Sequence, residues 1–166
     1  MTSGIMLPPE LSGLLNTLGF NWPLSDEGKL YDLGGQWSGF ADKLSPAAAE
    51  ADSHAQQVQG QNTGEAVDAF GTFWGDGEAP KTNLEDGATA STMIGTGMYV
   101  AAGVVVALKT AAVVQLAMLA VQIAQAIATA VPTFGASLLE IPVFKQITKM
   151  LLDQALDLAI NSVLNG

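Results

Sequence analysis

The single histidine, His54, follows Ser53 and stands two residues after Asp52, so the three residue types of a hydrolytic triad occupy consecutive positions. Neighbours on one helix point about 100° apart, however, and cannot form a hydrogen-bonded relay as they stand. Glu50, four residues before His54, shares its helix face, and the pair reads as a surface contact. Metal chemistry lacks ligands in the same way. There is no cysteine, and the carboxylates at Asp26/Glu27, Asp76/Glu78 and Glu85/Asp86 fall at helix starts or in loops. None shows the alternating acids and closing Glu of a calcium loop. Gly95-Thr96-Gly97 is not a phosphate loop, because Val100 occupies the third glycine position, no strand precedes it and no Gly-Lys-Ser/Thr follows. Those glycines read as helix-packing residues. The expectation is a protein that is not an enzyme and binds no cofactor or metal.

The charge balance narrows the partners. Six basic residues, all lysine, face 16 acids for a formal charge of −10, which removes the clustered Arg and Lys of a nucleic-acid footprint. The imbalance is confined to one half. Residues 1–86 carry thirteen acids against Lys29, Lys43 and Lys81, whereas residues 87–166 carry three of each sign. From Gly87 to Leu139 the one ionisable side chain is Lys109. We therefore expect an acidic helical part over 1–86 and a hydrophobic helical part over 87–166, packed as one continuous domain.

The elements that would position these residues are all helices. Pro8 and Pro9 suit the entry to a short helix over Glu10 to Leu18, after which GFNWP reads as a turn whose Phe20 and Trp22 tuck the arm onto the main body. Ser25 is the expected N-cap of the next helix, with Asp26 and Glu27 at the positive end of its dipole. Leu30, Trp37, Leu44, Ala51 and Val58 recur every seven residues, with Leu33, Phe40 and Ala47 between them, the spacing of a seam packed along a partner helix. Pro46 predicts a kink. GQNTG, residues 60–64, ends this helix; 65–74 resume helical character, a long helix runs from about Lys81 to Val131, and a last one spans Pro142 to Leu164. The fold class is all-α, an elongated bundle whose second half is a hydrophobic hairpin over 93–131 and 142–164.

Asn62, Gly64, Ala66, Phe70 and Trp74 resemble the turn of WXG100 proteins, the small helical hairpins exported by type VII secretion systems, with Asn62 in place of the usual Trp. The literal Trp37-Ser38-Gly39 lies inside the first long helix and is set aside. The wider order LPPEL, LGFNWP, Trp37/Phe40/Ala41, N-x-G-x-AVDAF, Leu108-Lys109, QLAML and IPVFKQITK resembles the WXG100-like N-terminal region of actinobacterial polymorphic toxins and channel-toxin proteins. That resemblance implies a delivery and partner-binding module. Its partners would be a small WXG100-type helical protein or a second copy, with a toxin domain or cargo downstream of Gly166. Asn62 and Thr63 are expected to cap the helix after the turn, and Trp37, Phe40, Phe70 and Trp74 to face the partner. The family's Y-x-x-x-D/E export signal is missing, since Gly103 follows Tyr99 and Gly35 follows Tyr31 at the acidic position. The first residues lack a basic start, so the chain is expected to be cytoplasmic before export and then secreted or envelope-associated without a cleaved signal peptide.

A second role is written into the apolar half. Thr110 to Leu139 is an uncharged run whose first 22 residues are long enough to span a bilayer. Counted along the helix from Lys109 at its end, Gln115, Gln122, Gln125 and Thr129 fall within about 80° of one another and form a polar stripe. Small residues at Gly97/Ala101, Gly103/Ala107 and Ala107/Ala111 permit close helix approach. The competing function is a membrane-inserting or channel-forming helical domain that helps translocate a toxin.

Overall fold

The computed structural model describes residues 4–165, which form five α-helices and one 3-10 turn. Helix α1 covers Pro9–Thr17, α2 Glu27–Gln61, α3 Glu65–Trp74, α4 Pro80–Ala128 and α5 Glu140–Asn165, with the 3-10 turn at Ala136–Leu139. The fold is all-α. Proline explains two of the boundaries, because it sits in the first turn of α1 and α4, where its missing N–H would have no helical partner. One local expectation changes. Asp26, not Ser25, caps α2: its Oδ1 accepts the Lys29 N–H at 3.0 Å, while the Ser25 carbonyl is taken by Lys109. Pro46 lies inside α2, which runs from Glu27 to Gln61.

The chain divides into two compact units, one of Met1–Lys29 with Val100–Gly166 and one of Leu30–Tyr99. The bounds at Lys29/Leu30 and Tyr99/Val100 fall within α2 and α4. In the first unit the arm packs on the apolar helices. Leu15 and Leu18 join Ala112, Leu116 and Leu119 of α4 and Leu152 of α5 in one core, with Phe20 and Trp22 against it.

The second unit is an antiparallel pairing of α2 with the first part of α4. Gly34 lies against Gly95 and Tyr99, Leu44 against Gly87, and Asp52 against Lys81, so numbers rise along one helix as they fall along the other. The buried residues are small: Gly34, Ala41, Ala48 and Ala55 on α2, and Ala88, Ser91 and Gly95 on α4. A methyl group at Gly95 would stand 2.9 Å from the Gly34 carbonyl oxygen, so the two backbones are in direct contact there. The predicted seam is thereby corrected. Leu30 and Leu44 are half-buried beside it, but Trp37 and Phe40 point outward, because helices this close have room only for a stripe of Gly, Ala and Ser.

Candidate interaction surfaces

The turn between α2 and α3 is built on Gly64, at φ 120° and ψ 166°, a backbone region open in practice only to glycine. Its carbonyl receives the N–H groups of Val67 and Asp68 at 2.9 and 3.1 Å and starts α3. No side chain caps that helix. Asn62, expected to do so, donates its amide to the Val58 carbonyl at 2.9 Å instead, since the unpaired carbonyls at the end of α2 lie nearer to it. Ala66 is exposed. Phe70 and Trp74, one helical turn apart, stack with centroids 5.7 Å apart and planes at 28°.

The half-buried Trp74 then needs a partner for its indole N–H, and Asp52 supplies it. Asp52 Oδ1 accepts from Trp74 Nε1 and from Lys81 Nζ, both at 2.9 Å, and Oδ2 accepts from Gln56 at 2.7 Å. The Lys81 ammonium, followed by the indole N–H, holds the Asp52 carboxyl below its usual range. One carboxylate thus ties α2, the end of α3 and the start of α4. In the sequence Asp52 stands out only as a neighbour of His54. The available signal is its spacing with Gln56, which sets an acceptor one turn from an amide on the face where α3 returns.

Residues 7–150 match the family model of the WXG100 like domain. The chain belongs to that family. No curated protein and no solved structure matches it. The turn of this WXG100-like domain is at Gly64, between α2 and α3, whereas the literal Trp37-Ser38-Gly39 lies within α2. The family is associated with type VII secretion, and its members typically self-associate or pair with partners.

For a chain of such a family an outward aromatic surface matters. Trp37 and Phe40 meet edge to face at 6.3 Å and remain 36% and 48% exposed, beside an exposed Leu33 and Gln36. Among the described residues no three His, Asp or Glu side chains gather as metal ligands. His54 is exposed, with Nε2 3.9 Å from Glu50 Oε1 and no contact to Ser53 or Asp52 beyond the helix itself. His54→Ala should leave partner binding and thermal stability within error of wild type; a loss of function with the fold intact would reopen the enzymatic reading.

Lys109 stands at the end of the polar stripe, on another face of the helix. Lys109 is 3% exposed and donates to Glu27 Oε2 at 2.7 Å and to the Ser25 carbonyl at 2.6 Å, on the side of α4 opposite the glutamines. A lone lysine in an apolar helix is buried here because an acid 82 positions away meets it. Gln115 and Gln122 are half-buried; Gln125 and Thr129 are exposed, and the Thr129 hydroxyl donates to the Gln125 carbonyl at 2.9 Å. Of the small-residue pairs, Gly97 and Gly103 face open space, while Ala107 and Ala111 line a groove with Ala155 and Ala159 of α5.

Proposed function

We propose that this WXG100-like domain is a non-enzymatic partner-binding module that delivers a toxin through a type VII-type system and acts outside the cytoplasm or at the cell envelope. Its partner is a small WXG100-type helical protein, with self-association as the alternative, and the toxin domain or cargo is carried downstream. The observation that supports this reading is the outward Trp37–Phe40 pair. Gly and Ala residues close the α2–α4 contact, and these aromatics keep 36% and 48% of their surface exposed, available to anchor another helix pair. Replacing both with Ala should weaken a complex with a WXG100-type protein encoded beside this chain by about 2–4 kcal/mol, roughly 30- to 1,000-fold in Kd, with an unchanged melting curve. Calorimetric titration measures it. Equal affinity would remove this surface from the interface. Trp74→Ala should behave differently and lower thermal stability, because it breaks the Phe70 stack and the Asp52 bond.

The apolar helix supports a second reading, insertion into a membrane. Within α4 an 18-residue window reaches a mean hydropathy of 2.2 with only 22% of it buried. Val114, Met118, Val121 and Ile127 of that helix are exposed. Such a surface is unusual on a soluble helix and matches what hydrocarbon would cover.

A further inference from the structure

Residues 4–29 meet α4 through an apolar contact and one buried ion pair. Helix α1 and its C-terminal extension set Leu15 and Leu18 into the core with Leu116 and Leu119, the latter two without exposed surface. A nine-residue helix is too short to persist alone in water, so α1 exists because it is docked. The ion pair joins the same two elements. Glu27 accepts from Lys109 and from the Ile5 N–H, Lys109 donates also to the Ser25 carbonyl, and its ammonium lies 5.9 Å from the centre of the Trp22 ring. Ser25 and Trp22 lie in the arm, and Glu27 is the first residue of α2, where the arm joins that helix.

If the arm leaves and draws the first turn of α2 with it, Leu116 and Leu119 lose the part of their cover that Leu15 and Leu18 supply, and Lys109 loses its acceptors together. Lys109 directly precedes the uncharged run that begins at Thr110. At that border a lysine in a membrane helix reaches water and headgroups along its own flexible stem. The rest of the run already exposes Val114, Met118 and Val121. We propose that residues 4–29 are an autoinhibitory strap on α4, latched at Lys109, and that a lipid bilayer is the competing occupant of the face it covers. The strap rests on the membrane reading of α4, and it makes insertion conditional on the arm's release.

The test is flotation with phosphatidylcholine vesicles, whose zwitterionic surface does not repel an acidic chain, combined with hydrogen exchange on the whole chain. Leu15→Asp places a charge on the strap and leaves α4 intact; it should speed exchange over residues 9–18 and raise the vesicle-bound to free ratio about tenfold. Leu116→Asp should speed the same exchange with no gain in flotation, because the carboxylate then has to enter hydrocarbon. Residues 34–55 should stay protected in both. Should Leu15→Asp strip that protection too, Glu27→Gln provides the comparison, with about a threefold rise in bound ratio expected and no rise overturning the strap. Wild type floating as strongly as Leu15→Asp overturns the strap and keeps the membrane reading. Fast exchange over 9–18 with no flotation by any variant, including one that dimerises instead, overturns the bilayer as occupant and the membrane reading with it.

Discussion

Gly95→Val lowers the melting temperature by roughly 6–12 °C, the shift that follows from about 3 kcal/mol of destabilisation in a chain of this size. The cause is geometric. A Cβ at position 95 would lie 2.7 Å from the Ser38 hydroxyl, 2.9 Å from the Gly34 carbonyl oxygen and 3.3 Å from the Ser38 nitrogen. Two of those three atoms are backbone and cannot rotate away, so α2 and α4 have to separate along the seam that Ala41, Ala48 and Ala88 fill. Gly97 is the internal control. Two residues along the same helix, a Cβ at position 97 would meet nothing within 4 Å, and Gly97→Ala should stabilise by about 0.8–1 kcal/mol, roughly 2–4 °C, through helix propensity alone. Circular-dichroism melts of the two variants separate the effects by sign. If Gly95→Val melted at or above wild type, the close approach of α2 and α4 would be refuted.

Lys109→Ala should cost about 3–5 kcal/mol, because it leaves the buried Glu27 carboxylate with no cation. The double replacement Glu27→Gln with Lys109→Met should recover most of that loss, since it removes both charges and keeps the volume. Lys109→Met alone is the decisive control: it keeps the volume and leaves Glu27 unpaired, so it should lose stability that the double replacement recovers, whereas a lysine that mattered only for its packing would show no such loss. The pair also sets a pH dependence. The Ile5 N–H, then Lys109, lowers the Glu27 pKa from its ordinary 4.5 to about 2. A carboxylate depressed on folding contributes its stability in full above the unfolded pKa and loses it as pH falls through the folded one. The gap in stability between wild type and Glu27→Gln should therefore be constant above about pH 5 and close between pH 4.5 and 2, as read by urea denaturation.

How much of this is legible in the sequence depends on which property a residue reports. Local properties are legible. Pro8 and Pro9 place the start of α1, Gly64 the reversal before α3, and Pro132 with Gly135 the region where α4 has ended, because chain stereochemistry at those residues allows little else. The seven-residue recurrence along α2 correctly indicates a long helix packed on another, and the turn motif together with the LPPEL-to-IPVFKQITK order indicates the WXG100-like family that residues 7–150 match.

Which face of each helix is buried is not legible. The bulky heptad of Leu30, Trp37 and Leu44 and the small heptad of Gly34, Ala41 and Ala48 have the same period, and periodicity does not rank them; the distance between α2 and α4 does, and it selects the small one. The partners of charged groups are equally hidden. Nothing near Lys109 in sequence predicts Glu27, and nothing near Asp52 predicts Trp74 and Lys81, because these pairings join residues 22 to 82 positions apart. Sequence alone determined that this chain is helical, acidic at one end and apolar at the other, since those traits belong to residues one at a time. Tertiary structure decided that Lys109 is buried against Glu27 and Trp37 exposed, since burial belongs to a residue only once the rest of the chain has folded around it.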